Sequence, residues 1–255
     1  MLRFFRQIRK KLVTKDTLNS YALYAIGEIL LVVVGILIAL QVNNWNEERT
    51  MIQLKDQILQ DIISDLQADT SQIKVLRRNM ELRDGNSEYL LGFLTGKFEN
   101  AEEARLVKAF LEANNLVGFT AITTSYNLLV ERGAFNHIKS RTLKEALIDY
   151  YEFDTFEKEV QSQKFAYTSN YGEARFDHMP SGLLRENLQN RLNVYPTGND
   201  VTKTASINWE LVKNDKNYMK SLNQVQAMVI AYMYDFNRYN MAQAELFRLI
   251  EEELN

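Results

Sequence analysis

Residues 21–45 read YALYAIGEILLVVVGILIALQVNNW, and this run constrains the chain more than any other part of it. From Ile29 to Leu40 nothing is polar, and Ala22 to Val42 is interrupted only by Glu28 and Gln41. At about 1.5 Å of rise per residue, about 20 residues in a helix cross the roughly 30 Å hydrocarbon layer of a bilayer. Tyr21 and Tyr24 at one end and Trp45 at the other match the aromatic belts that settle at lipid headgroups. Arg3, Arg6, Arg9, Lys10, Lys11 and Lys15 precede the run with only Asp16 against them, whereas Glu47, Glu48 and Arg49 follow it. That asymmetry predicts a cytoplasmic N-terminus and an extracytoplasmic remainder. A cleaved signal peptide fits less well, because the charged leader is long and the run ends Ile-Ala-Leu-Gln-Val-Asn-Asn without a small-x-small cleavage site. The expected organisation is a basic leader (1–20), a transmembrane signal-anchor helix (21–45) and one extracytoplasmic domain (46–255).

The remaining chain is long enough for one domain with a real core. A net charge of −3 and a pI near 5.6 argue against a nucleic-acid partner. The positive charge that does cluster lies before the run, where it sets topology and can meet anionic lipid. The chain has no cysteine, which removes thiolate catalysis, zinc–thiolate sites and disulfides.

Beyond Trp45 the pattern is helical. No helix breaker appears before Asp84-Gly85-Asn86, so the membrane helix can run on into the domain. Along it Trp45, Ile52, Leu59, Ile62, Leu66, Ile73, Leu76 and Met80 follow alternating steps of three and four, with Glu48, Lys55 and Asp69 as misses. Ser87 is placed to cap a short helix through Leu94, and Asn100 another through about Ala113. Thr142 is placed to open a long helix marked by Leu143, Leu147, Tyr150, Tyr151, Phe156 and Val160. The final stripe is the cleanest: Leu222, Val225, Val229, Tyr232, Phe236, Tyr239, Gln243, Leu246 and Ile250, with Gln243 alone polar. Both prolines, Pro180 and Pro196, fall with Gly172, Gly182 and Gly198 in an irregular stretch of about 172–204, which has room for a short helix around Leu183 to Leu192. The fold expected is all-α: one N-terminal transmembrane helix continuing into an elongated extracytoplasmic helical bundle.

The catalytic inventory is thin. His137 and His178 are the only histidines and stand in no ligand spacing, although Asp177 could orient the His178 imidazole. There is no phosphate-cradling glycine loop, nucleophile elbow or metal-binding helix motif. The expectation is a non-enzyme without cofactor or metal. Glu28 stands out instead. At about 100° per residue, Gly35 and Ala39 lie within about 20° of it on one helix face. Gly35-x-x-x-Ala39 is a spacing that lets helix backbones approach closely. Three roles are open to Glu28: a headgroup-level carboxylate reaching water, a buried group at a helix–helix interface, or a proton-relay carboxylate.

The segment YAIGEILLVVVGILIALQVNNWNEER resembles the hallmark of an uncharacterised membrane-protein family widespread in Bacteroidota. TTSYNLLVERGAFNHIKSRTLKEALIDYY is similar to that family's middle segment, and NWELVKNDKNYMKSLNQVQ and LFRLIEEELN also look familiar. Arg132 stands before Gly133 where the family commonly has a small residue. The family carries no established activity, so the resemblance implies a setting: the inner membrane of a Gram-negative bacterium, with the domain in the periplasm. The function expected is a membrane-anchored scaffold or accessory subunit that self-associates or binds a membrane or periplasmic protein partner. The rival readings are the input module of a sensor and an accessory subunit of an ion-driven motor using Glu28.

Overall fold

A computed structural model of the chain describes residues 18–113, 117–180, 182–183 and 207–255. It is all-α, with no strand among the described residues. By internal contacts the chain divides into two units, Met1–Gln57 and Ile58–Asn255. Helix α1, Leu18–Leu94, contributes to both. Within the first unit α1 is long and apolar enough to cross a membrane, and its large apolar side chains from Ile26 to Val42 are exposed.

The second unit adds α2 (Glu103–Glu112), α3 (Thr124–Glu131), a 3-10 turn (Ala134–His137), α4 (Arg141–Phe176), α5 (Trp209–Asn214) and α6 (Lys216–Leu254). Helices α4 and α6 are antiparallel. Tyr150 bonds Gln243, Asp154 bonds Tyr239 and Tyr171 bonds Tyr218, so partner numbers fall along α6 as they rise along α4. Helix α1 also runs against α6, through Thr70 to Gln243 and Arg77 to Asn237. Leu59, Ile62, Leu66, Ile73 and Met80 of α1 are buried with Leu143, Leu147 and Tyr150 of α4 and the whole predicted stripe of α6. Steps of three and four keep one face turned inward along helices of this length. A second apolar cluster joins Leu90 and Leu94 to Leu106, Val107 and Phe110 of α2 and to Tyr171, Tyr218 and Leu222. There Phe110 stacks on Tyr218 at 5.6 Å and meets Trp209 edge-on at 5.9 Å.

Leu246 is fully buried in the α6 stripe. Leu246→Ala is expected to cost about 2–5 kcal/mol. In a domain of this size that lowers the melting midpoint by roughly 5–15 °C, read by the helical circular dichroism signal.

Several helix boundaries differ from expectation. Helix α1 does not break at Asp84-Gly85-Asn86 but runs through it to Leu94. Ser87 is no cap: its hydroxyl donates to the Asp84 carbonyl at 3.0 Å, inside the helix. The reason is register, because Ser87, Leu90 and Leu94 continue the buried steps of Met80. Burial of that face outweighs the roughly 1 kcal/mol a helical glycine costs. The true stop is Gly96 at φ 75°, where Lys97 N–H bonds the Gly92 carbonyl at 2.8 Å and Gly96 N–H the Phe93 carbonyl at 3.1 Å. This is the double bond of a Schellman ending, for which glycine's left-handed freedom is required. Asn100 does not open α2, which starts after Glu102. Ser140, not Thr142, caps α4, its Oγ accepting from Leu143 N–H at 3.1 Å. That helix runs on to Phe176, past the point where the irregular stretch was expected to begin. The helix expected around Leu183 to Leu192 lies, beyond Leu183, outside the described residues.

Candidate functional site

The apolar segment of α1 carries the residues singled out by sequence. Glu28, Gly35 and Ala39 are exposed along α1, and a Cβ added at Gly35 would meet nothing within 4 Å. Helical geometry aligns the three on one face, and among the described residues nothing covers it. Trp45 is exposed at the far end of the run. Tyr21 and Tyr24 belong to α1, but their side chains lie outside the described residues.

The interior holds a site that the apolar stripes passed over. Residues 117–123, between α2 and α3, form no regular element, and Phe119 and Ala121 are buried among the helices. Backbone polar groups taken out of water need partners, and side chains provide them here. Ala121 N–H donates to Asp154 Oδ1 at 2.7 Å. Ile122 N–H reaches both Asp69 oxygens at 3.2 Å. Gln161 Nε2 donates to the Phe119 carbonyl at 2.7 Å. The loop packs so closely that a Cβ on Gly118 would come within 2.8 Å of Gln161 Nε2. The Phe119 ring stands edge-on to Tyr239 at 4.6 Å.

Asp69 and Asp154, both fully buried, anchor a longer network. The Tyr150 hydroxyl donates to Asp69 Oδ2 at 3.3 Å and accepts from Gln243 Nε2 at 3.0 Å. Thr70 Oγ1 donates to Gln243 Oε1 at 2.9 Å. The Tyr239 hydroxyl donates to Asp154 Oδ1 at 3.2 Å, and Lys158 Nζ lies 2.6 Å from Asp154 Oδ2. Burial pushes the Asp69 carboxyl up to about 6. The bonds from Ile122 and Tyr150 oppose that rise, and the Asp65 and Asp154 charges add to it. Burial likewise holds the Tyr150, Tyr151 and Tyr239 hydroxyls well above the usual tyrosine range. Tyr151 stacks on Tyr126 with ring centroids 4.1 Å apart.

Two further polar knots lie along α4 and α6. Lys164 Nζ sits 2.7 Å from Glu157 Oε2, 2.6 Å from Asp235 Oδ2 and 4.9 Å from the Tyr232 ring centre. Burial would lower its pKa, but the bonds to Asp235 and Glu157 prevail and hold it above the ordinary lysine value. Nearer the end of α4, Tyr171 OH lies 2.8 Å from Tyr218 OH, and Arg175 donates to the Leu111 carbonyl at 2.6 Å. His178 is oriented by Asp215, 2.8 Å away, and not by its neighbour Asp177. Asp215 also caps α6, accepting from Asn217 and Tyr218 N–H at 2.8 and 3.1 Å. The His178 hydrogen bond holds Asp215 below the usual carboxylate range. His137 lies in the 3-10 turn, far along the sequence from this pair.

Among the described residues no group of three potential ligands could hold a metal ion. Two open clefts flank the network. One, of about 380 Å³, is lined by Tyr126, Tyr151, Glu152 and Lys158; the other, of about 320 Å³, by Thr70, Lys74, Arg77 and Gln243. The buried carboxylates thus act as staples for a loop. Their signal in the sequence was phase: Asp69 occupies a stripe position between Leu66 and Ile73.

No curated protein and no solved structure matches the chain. A family of unknown function (DUF6090) matches residues 28–175, from Glu28 in the apolar run through α4 almost to its end. With more than half of its length matched, this chain belongs to that family of unknown function.

Proposed function

We propose that the chain is a membrane-anchored, non-enzymatic scaffold or accessory subunit whose helical domain lies in the periplasm and binds a protein or cell-envelope partner. The observation that carries this reading is the exposed apolar length of α1 from Ile26 to Val42, which needs lipid or protein around it. The basic leader and the acidic residues after Trp45 support a cytoplasmic N-terminus. An inner membrane, and a Bacteroidota source, follow from the resemblance of the anchor segment. The interior carboxylates Asp69 and Asp154 are engaged by loop amides, which supports a structural use of the domain's buried polar groups.

A reporter active only in the periplasm, fused after Asn255, is expected to give signal, and protease added to spheroplasts to digest the domain. A reporter active only in the cytoplasm would overturn the topology if that fusion were the one to work. Single cysteines at Glu28, Gly35 and Ala39 are expected to cross-link to a second copy or a partner better than cysteines at Leu30, Val33 and Leu37. Gly35→Leu should weaken that association by separating the helix backbones. Equal cross-linking on both faces would remove Glu28, Gly35 and Ala39 from any interface.

A further inference from the structure

We propose that Asp69 is a proton-sensitive clasp on the loop 117–123: a proton on its carboxyl holds the loop against the bundle, and loss of that proton eases its release. The geometry is a convergence of like charges on one strip of backbone. Asp69 and Asp154 grip the adjacent amides of Ile122 and Ala121 from two different helices. Asp65 stands one turn before Asp69 on α1, and its buried Oδ2 has no hydrogen-bond partner. The cation in this cluster, Lys158, is already engaged by Asp154.

Every element packed on the group contributes neighbours. Helix α1 brings Asp65; α4 brings Tyr150, Tyr151 and Asp154 with Lys158; α6 brings Tyr239, bonded to Asp154. From α3 comes Tyr126, stacked on Tyr151. Glu157, one turn beyond Asp154, is neutralised by Lys164. Burial keeps Tyr126, Tyr150, Tyr151 and Tyr239 protonated through neutral pH. Burial raises the Asp69 carboxyl toward neutrality.

The sign follows from linkage. In the closed state burial, then the carboxylates Asp65 and Asp154, raise Asp69 to about 6; a released, hydrated Asp69 returns toward its ordinary 3.8. A group raised in the closed state favours closure fully below the lower value, and that contribution is lost as pH rises through the higher one. A shift of this size changes the closed-to-open ratio by up to about a hundredfold over the whole range. Between pH 7.5 and pH 5 the expected change is about tenfold.

The test is hydrogen–deuterium exchange of the full chain in detergent micelles, with protection corrected for the pH dependence of intrinsic exchange. Peptides covering 117–123 should be about tenfold better protected at pH 5 than at pH 7.5, with the dependence setting in as pH falls through about 6, while peptides from the middle of α6 change far less. Asp69→Asn should flatten this dependence. Tyr150→Phe removes a bond that favours the ionised form and should move that onset to higher pH. Protection that is flat, or lower at pH 5, in the unmodified chain would overturn the proposal. So would an Asp69→Asn chain that keeps the original slope. Should Asp69→Asn fail to fold, the unmodified chain and Tyr150→Phe still decide.

Discussion

Lys164→Ala is expected to destabilise the domain by about 3–5 kcal/mol, seen as a large drop in the urea midpoint of the full chain. The ammonium lies between Glu157 and Asp235, and all three groups are largely withdrawn from water. Removing it leaves two carboxylates buried close together with no countercharge. The cost is thus the desolvation and repulsion of what remains, more than the loss of an attraction. A diagnostic follows. Adding Glu157→Gln and Asp235→Asn to Lys164→Ala should recover a good part of the loss, since uncharged amides tolerate burial better. Lys158→Ala should cost less, because that lysine is 41% exposed and leaves one carboxylate, Asp154, whose Oδ1 keeps its bonds from Ala121 and Tyr239. If Lys164→Ala and Lys158→Ala prove equally mild, the triad contributes little to folding.

The second large effect is expected at Asp154. Asp154→Ala strips the partner from Ala121 N–H and from the Tyr239 hydroxyl at once, both in buried surroundings. Each buried donor left without an acceptor costs about 1–3 kcal/mol, so a loss of about 3 kcal/mol or more is expected. The damage should also be local. Exchange at 117–123 should accelerate beyond what the global loss explains, because the loop is tied down at Ala121. Asp154→Asn, which retains one acceptor oxygen, should fall between the two. Loss of global stability with unchanged loop protection would show that the loop is held by Phe119 and its apolar contacts instead.

How much of this was legible in the sequence depended on what each helix buries. In α6 the inward face is apolar at every step but Gln243, so pattern alone located all nine stripe residues in the core. In α4 the inward face turns polar halfway. Leu143, Leu147, Tyr150 and Tyr151 were legible, but Phe156, expected on the same face, is 57% exposed. The buried steps pass instead through Asp154, Glu157 and Lys164 to Tyr171 and Arg175. A search for apolar periodicity cannot follow a seam built of ion pairs, although the spacing itself is unbroken. The same blindness made Lys55 and Asp69 look like misses in α1, and both are buried. Asp69 is inside because the Ile122 amide, 53 residues away, needs an acceptor there. No local signal encodes that. Glycine at position 85 suggested a break where register carried the helix on, and Gly96, not remarked in sequence, ended it. Glu28, Gly35 and Ala39 share one helix face by geometry, and all three are exposed.

Gln243 gives the bundle something its neighbours on α6 cannot. Apolar steps of three and four are nearly self-similar, so a helix displaced lengthwise by seven residues would still present Leu, Val, Phe or Ile to its partners. The amide breaks that degeneracy. Its oxygen is matched to Thr70 on α1 and its nitrogen to Tyr150 on α4, so one position of α6 satisfies both. Displaced by seven residues, Gln243 would leave both of these partners, at the expense of two buried hydrogen bonds. The residue therefore serves accuracy of assembly more than strength: Gln243→Leu could leave the domain about as stable while admitting shifted pairings, visible as heterogeneous resonances rather than a lower melting point.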